Sequence, residues 1–599
     1  MVARTNPSIT MNVNHSIAGA EAQKMSIINK IGIALFVLGI IGLIELISTS
    51  IVDHSRLNKT ENFELFIFGS FGLMLAGIAL FTRKKGESGY RNIFFKNTNT
   101  VQKIGLCVGL IGFGNLVASW VGVELEPATL YLWLSMGLMA SGILIYTFGT
   151  YAGHTKGIKN NHVYFNSLTN GGILGWVAGV ALTLFYIQIY WFADSLEAMT
   201  RMFDPLAYLI TGGKASQWFV YGTIYTFLIF FLGIKFLVKY RHNRYQIIRT
   251  ISVIFFQVVF AYTIPHILES FSEGQAYFQK DLKNVWPLDY GFSNPNRLDA
   301  LKTAGVSGTF YFFWGLIMFL VVTPIITYFV GKRWYCSWVC GCGGLAETAG
   351  DGFRQLSSKK ESAWKIERWV VHSVMVFVLI MSVAALWPYF SGSDYTISFL
   401  TITKTSYLIA TLTVLGLVAI LFFLGSKKYK NSILKIGAII LLLIGVLLTI
   451  AYFTGSKEVF SLRSQSIKKT YGFIVGSAFA GVIGVGFYPL LGNRVWCRFG
   501  CPMAGYIGLF QRFKSRFRIT TNGSQCISCG NCSTYCEQGI DVRAYAQKGE
   551  NIIRSSCVGC GICSAVCPRG VLKLENGPEK GRFDSNPLIV TKDGVKLNA

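Results

Sequence analysis

The chain has 599 residues, 52% of them hydrophobic and only 14% charged, and its mean hydropathy is +0.46. A soluble protein of this composition would need amphipathic helices to cover its apolar ones, and almost none are visible before residue 500. Lysine and arginine outnumber aspartate and glutamate by 55 to 29, a net charge of +26 with no aromatic-basic module of the kind that binds nucleic acid.

Residues 1–26 form a polar segment without a cleavage-like signal, so the first apolar run is expected to be an uncleaved anchor. Runs of about 20 residues, each able to cross the hydrocarbon core as a helix, recur near 27–50, 63–82, 104–123, 129–149, 172–192, 217–238, 250–268, 309–330, 369–390, 406–425, 433–454 and 470–491. The expectation is an all-α polytopic membrane protein of about twelve transmembrane helices. The loops after even-numbered spans carry about two dozen basic residues, among them Arg83, Lys84, Lys85, Arg241, Arg244, Arg249, Lys427 and Lys428, and positive loops stay in the cytoplasm. Both termini are therefore expected inside, in a prokaryotic cytoplasmic membrane. Lys457, Arg463, Lys468 and Lys469, after the eleventh span, point the other way.

Few ionisable groups interrupt the spans. Glu45 in the first is the most costly if buried, and His266 with Glu269 is the best proton-accepting pair for a quinol. His266 and His372 fall toward opposite faces, so no transmembrane haem is expected. The longest outer loop, about 269–308 with Trp286, Pro287 and Tyr290, is long enough to cap a site or dock a partner.

Thirteen of the fourteen cysteines follow Gly331, on the side expected to be reducing, where thiols stay available to metal. Cys107 alone lies in a span and reads as core packing. Gly331-Lys-Arg-Trp-Tyr-Cys336-x3-Cys340 aligns without gaps to Gly492-Asn-Arg-Val-Trp-Cys497-x3-Cys501, each copy following a span. A duplicated helix-plus-motif unit suggests two halves related by a pseudo-two-fold axis, with their C-x3-C pairs facing each other. On a helix, C-x3-C puts both sulfurs on one face. Cys336, Cys340, Cys497 and Cys501 are thus a candidate third metal site, with a dithiol redox pair and plain packing as the next readings. Arg333, Arg494 and Arg498 would favour thiolates, and Trp334, Tyr335, Trp338 and Trp496 would lie at the membrane interface. Cys342 occurs only in the first copy. Arg512, Lys514, Arg516 and Arg518 then lead to the last module as expected headgroup anchors.

That module has Cys526, Cys529, Cys532 and Cys536, then Cys557, Cys560, Cys563 and Cys567 followed by Pro568. Two C-x2-C-x2-C-x3-C runs are the ligand pattern for two [4Fe-4S] clusters, whereas zinc ribbons use two pairs separated by a longer insert. The fourth cysteine of each run crosses over, giving Cys526, Cys529, Cys532 and Cys567 to one cluster and Cys557, Cys560, Cys563 and Cys536 to the other. Glu537 stands where proline is usual. The expected organisation is 1–26 cytoplasmic segment, 27–308 N-terminal membrane domain of unassigned role, 309–510 membrane domain with the duplicated motifs, 511–575 small α+β two-cluster ferredoxin-like domain, and 576–599 tail.

From about 309 to 575 these motifs resemble the membrane-bound polyferredoxins that include NapH-type, NosR-type and CcoG-type proteins. Trp496-Cys497-x3-Cys501-Pro502 and the eight ferredoxin cysteines match, while Cys340-Gly341-Cys342 departs from the family's Cys-Pro. The resemblance implies electron transfer between the cytoplasmic side and the quinone pool or an extracytoplasmic redox partner, as in a quinol dehydrogenase component. Only Ser307-Gly308-Thr309 echoes the covalent flavin site of the NosR type, so no covalent flavin is expected. The alternative, from another class, is a copper reductase or assembly factor for a respiratory oxidase or reductase, with the C-x3-C thiols and Cys342 holding Cu(I). Redox-driven transport is a third reading, suggested by the many helices beyond the shared core; it calls for a broken helix or several buried charges in the first seven spans, where Glu45 is the one candidate. Membrane lipids are the only other partner expected.

Overall fold

The computed structural model describes residues 27–52, parts of 69–80, 99–153, 166–271, 285–392, 394–429, 432–459, 464–522, 525–577, 588–591 and 594–597. It divides into two units, Met1–Ser88 and Gly89–Ala599. In the first unit, helix α1 (Ile27–Val52) meets helical residues of 69–80 through glycines: a Cβ on Gly39 would lie 2.5 Å from the Ser70 carbonyl oxygen, and one on Gly77 2.5 Å from that of Gly32. Small residues let apolar helices approach backbone to backbone. Glu45 lies on the exposed surface of α1. The expected span 63–82 lies largely outside the described residues.

The second unit holds, among the described residues, nine helices long and apolar enough to cross a membrane. They are α2 (Thr100–Trp120), α3 (Ala128–Tyr151), α4 (Ile173–Trp191), α5 (Gln217–Lys239), α6 (Arg244–Leu268), α7 (Gly305–Val330), α8 (Glu361–Gly392), α9 (Lys404–Lys427) and α10 (Leu434–Phe453). Large apolar side chains such as Ile409, Leu417 and Leu421 on α9 point outward, as suits lipid and not water. The expected span 470–491 departs from a single helix. It runs as a helix, Ser464–Tyr471, a wide π-helical stretch, Gly472–Ile483, and a last turn, Tyr488–Leu491. Its glycines leave room that aromatic rings fill: a Cβ on Gly481 would lie 2.6 Å from the Tyr186 ring. Shorter π segments interrupt α6 at Phe256–Thr263 and α7 at Met318–Val322.

The outer loop is not a solvated connector where it is described. Val285 is buried, the Trp286 indole donates to Ser382 Oγ at 2.8 Å, and the Trp286 ring lies 4.5 Å from that of Phe319. The segment plugs the same apolar core that contains Cys336, Cys497 and Cys501.

At the C-terminal end, strand Phe517–Thr521 pairs antiparallel with Leu572–Asn576 and closes a small α+β domain. Two matching four-residue helices, Asn531–Thr534 and Ile562–Ala565, each start after a left-handed glycine, Gly530 (φ 79°) or Gly561 (φ 75°). Its small core combines Ile519, Ile540 and Val571 with Cys532, Cys557 and Cys563.

A buried ion network seats this domain on the helices. The carboxylate of Glu537, with no exposed surface, lies 2.5 Å from Arg354 and 3.0 Å from Arg494. Arg494 also holds Glu347 at 2.6 Å, Arg354 holds Glu347 at 3.1 Å and Asp351 at 2.7 Å, Arg249 of α6 pairs with Glu347, and Lys239 of α5 with Asp351 at 2.5 Å. Burial alone would push the Glu537 carboxyl up, but Arg494, Arg354 and Arg249 overcome it and hold it down at about 2. It is therefore ionised at neutral pH. Backbone carbonyls of the domain add to the seat: Val558 accepts from Ser337 Oγ, Gly559 from the Tyr245 hydroxyl, both at 2.7 Å, and Cys560 from Gln246 at 2.8 Å.

Both cysteine-motif copies open on a glycine with positive φ, Gly331 (72°) and Gly492 (100°), so the repeat seen in the sequence is also a repeat of backbone geometry. A Cβ on Gly492 would stand 2.3 Å from Ser357 Oγ. Gly492→Ala should cost about 1–3 kcal/mol, from left-handed strain together with that clash, whereas Gly114→Ala, which meets open space in α2, should gain about 0.5–1 kcal/mol. Melting curves in detergent check both. Glu537→Ala removes the carboxylate that Arg354 and Arg494 share and leaves their buried network, still holding Glu347 and Asp351, one negative charge short, a loss of about 3–5 kcal/mol, and should expose the segment near residue 515 to protease. Arg201→Ala removes the exposed pairs with Glu124 and Glu197 and should leave both the melting temperature and the digestion pattern unchanged.

Candidate iron–sulfur centres

The first crossed-over set of ferredoxin cysteines, Cys526, Cys529, Cys532 and Cys567, lines one pocket. Ser528 (φ 56°) and Gly530 curve the loop so that the sulfurs turn inward. Burial pushes the Cys532 thiol up to about 11; the Ser533 N–H opposes this, and the nearby sulfurs of Cys567, Cys529 and Cys526 add to it. Three of the second set, Cys557, Cys563 and Cys536, are likewise neighbours: burial raises the Cys557 and Cys563 thiols, the Cys536 sulfur raises both further, and the Cys557 sulfur adds to the shift at Cys563. Backbone N–H groups aim at these sulfurs, Ile540 at Cys536 (3.4 Å), Gly559 at Cys557 and Ser564 at Cys563. Converging sulfur donors ringed by peptide N–H groups fit a cubane cluster, whose sulfurs take such hydrogen bonds. Thiols held this far toward the protonated form ionise when a metal binds them, which couples iron loading to folding of the domain.

Cys560, the remaining member, faces the ion network, its sulfur and carboxylate oxygens of Glu347 and Glu537 lying within 4.8 Å of one another. Those carboxylates are already held by arginines, which leaves the thiol as the donor of that group. Glu537, read from the sequence as a change at a turn, is thus what ties the second set to the helices.

The two C-x3-C pairs do meet. Burial pushes Cys501 up, and the sulfurs of Cys497, Cys336 and Cys340 push it further. Burial likewise takes Cys336 up to about 12. Cys342 is hydrogen-bonded to Cys340 and close to Cys497 and Cys501. The pairs do not lie on one helical face, however. Each straddles a break in which the second cysteine is the N-cap of the next helix: Cys340 (φ −68°, ψ 126°) before Gly341–Thr348, and Cys501 (φ −81°, ψ 113°) before Pro502–Lys514. A helix N-terminus favours thiolate, and the Ala504 N–H reaches Cys501 Sγ at 3.4 Å.

Of the three arginines expected to favour thiolates, Arg494 is the one with a recorded bond to sulfur, Nη1 to Cys497 Sγ at 3.7 Å. Arg333 lies over the Trp338, Tyr245 and Phe517 rings, and Arg498 pairs with Glu367 at 3.0 Å. Trp334, Tyr335 and Trp496, expected at the membrane interface, are buried in the core around the sulfurs. Nor does the site lie at the ends of the helices. A Cβ on Gly341 would stand 2.6 Å from Gln257 of α6 and 3.4 Å from the Tyr225 hydroxyl of α5. Tyr225 comes fourteen residues before Lys239, about 21 Å along α5 at about 1.5 Å per residue. The sulfurs therefore sit well inside the bundle, under the Val285–Tyr290 plug. The hydroxyl of Tyr471, beside Cys501, is buried without a hydrogen-bond partner. An orphaned donor costs about 1–3 kcal/mol, and an acceptor bound among the four thiols would satisfy it. Donor chemistry and orphaned hydroxyl together fit a metal–sulfur group.

The other candidates lie apart from the sulfur sites. His266 packs between the Tyr262 and Phe219 rings, and the side chain of Glu269 lies outside the described residues. His372 bonds the Arg368 carbonyl of its own helix. Arg512 and Arg518, expected to reach headgroups, bond the Ile553 and Gly577 carbonyls, and Arg518 is buried.

A family model for a 4Fe-4S dicluster domain matches residues 518–568, which contain all eight ferredoxin cysteines. A second, for a 4Fe-4S binding domain, matches twice, at 311–362 and 474–520, and so takes in both C-x3-C copies. No curated protein and no solved structure matches the chain. The matched 4Fe-4S domains imply electron transfer, and the nine long apolar helices among the described residues are compatible with a multi-pass membrane protein.

Proposed function

We propose that the protein passes single electrons through three sulfur-ligated stations in sequence: the set of Cys526, Cys529, Cys532 and Cys567, the set of Cys557, Cys560, Cys563 and Cys536, and the tetrad Cys336, Cys340, Cys497 and Cys501. The ferredoxin domain faces the cytoplasm of a prokaryotic cell, and the far terminus is the quinone pool or a redox partner on the outer side, as the likeness to NapH-type proteins suggests. Bound clusters supply the one-electron chemistry. The chain's own residues set their order and depth: the Glu537 network seats the second set, N-caps and Arg494 favour thiolate at the tetrad, and the Val285–Tyr290 plug keeps water from it. The observation that carries this reading is the convergence of the two motif copies, 161 residues apart in the chain, on one buried sulfur site next to the ferredoxin domain.

Cys342 supports a second reading, copper handling, because it adds a fifth soft donor beside the tetrad. Metal and sulfide analysis separates the two. Protein purified without oxygen should contain about twelve irons per chain, four per cubane, falling to about eight in Cys336→Ser/Cys501→Ser. Cys529→Ser and Cys560→Ser should each abolish a different paramagnetic signal on reduction. About eight irons in the parent, with stoichiometric Cu(I) bound, would favour the copper reading instead.

A further inference from the structure

Resting on that electron-transfer reading, we infer that the face around Cys529 is a docking surface for a small acidic one-electron carrier protein of ferredoxin or flavodoxin type.

The two ferredoxin sets face different surroundings. The second is enclosed: Cys557 and Cys563 are buried, and the peptides at Val558, Gly559 and Cys560 are bonded by Ser337, Tyr245 and Gln246 of the helical part. The first opens on solvent, with Cys529 exposed and Ile527 beside it 55% exposed. A carrier in water therefore meets the first set before the second.

The lining of the pocket there has one sign. Arg543 and Arg569 stand at the rim of the pocket, both exposed, and its lining includes no carboxylate. Among the described residues neither arginine takes part in an ion pair, so both charges are available to a partner. The bond from Gln547 to Ser528 Oγ, at 2.7 Å, brings exposed Lys548 to the same edge. Asp541, on the neighbouring loop, accepts from the Ser533 hydroxyl at 2.6 Å and lies outside that lining, as does exposed Glu550. An apolar centre at Ile527 inside a basic rim is the anatomy of a transient protein interface, and its charge selects an acidic partner and speeds the encounter. The exchange balances without bond making: the carrier loses one electron and the first station gains it, or the reverse, as their potentials dictate.

An anionic lipid surface is the competing occupant of a basic patch. The opening at Cys529 favours the carrier, since lipid there would seal the station from water-soluble donors.

The test uses the full chain in vesicles of neutral phosphatidylcholine, with a purified acidic two-cluster ferredoxin as probe. Binding should weaken steeply as salt rises from about 50 to about 300 mM. Arg543→Glu/Arg569→Glu should weaken it about tenfold or more and slow electron exchange with the carrier in proportion, while Arg543→Lys/Arg569→Lys retains both. Paramagnetic signals from both ferredoxin stations certify that each variant is loaded. Lys548→Glu, away from the cysteine loops, should weaken binding by a smaller factor in the same direction. Salt-independent binding, charge-reversed variants that bind as well as the parent, or a loss confined to vesicles containing phosphatidylglycerol would each overturn the assignment. A parent lacking iron at the tetrad would sink the third station and leave this docking result standing.

Discussion

A carboxylate without exposed surface, held by two guanidiniums, is the constraint on which the arrangement depends. Glu537 follows directly after Cys536, and its partners come from the segment that follows the first motif copy (Arg354) and from the second copy itself (Arg494). One side chain therefore fixes the ferredoxin domain against both halves of the duplicated unit at once. Such a network contributes little net stability compared with apolar packing of the same volume, but it is costly to disrupt and specific in geometry. Those properties suit a joint that holds the ferredoxin domain and the paired C-x3-C motifs at a fixed separation.

The rest of the site is arranged around that joint. Arg494 reaches from the carboxylates to Cys497 Sγ, so the electrostatics of the second ferredoxin set and of the tetrad are linked through one guanidinium. The helix N-terminus at Cys501 adds the Ala504 N–H to that sulfur, while Cys340 begins its helix without such a bond. Wide π turns in α6, in α7 and in the stretch Gly472–Ile483 loosen the helices flanking the sulfurs, a distortion often found at functional sites. From the opposite direction Trp286 and Tyr290 close the core, so the tetrad lies in a low-dielectric surround in which nearby fixed charges act strongly.

What could be read from the sequence was what is local along the chain. The ferredoxin runs were legible because ligand spacing follows from cluster size, and the repeat because Gly331 and Gly492 each open a motif that needs the same left-handed turn. Spans matching α2 to α10 were legible because apolar length is itself the requirement for crossing. Contacts formed by tertiary packing were not. Glu537 differs from proline at a single position, and nothing nearby in sequence names Arg354 or Arg494. Trp334, Tyr335 and Trp496 have the composition of an interfacial belt but pack as core. Arg249, counted among the loop charges that set orientation, is instead 2% exposed and paired with Glu347, so part of that basic bias is structural. The irregular course of 472–483 escaped because its glycines, apolar in any hydropathy window, yield to the rings of Tyr186 and Tyr290.

The most direct measurement is an electron cryo-microscopy map, at side-chain resolution, of the anaerobically purified protein in a lipid disc. The account requires one compact non-protein density joined to the sulfurs of Cys336, Cys340, Cys497 and Cys501, with the Glu537 carboxylate lying between Arg354 and Arg494. Side chains filling that space, or a ferredoxin domain turned so that Glu537 faces solvent, would contradict it.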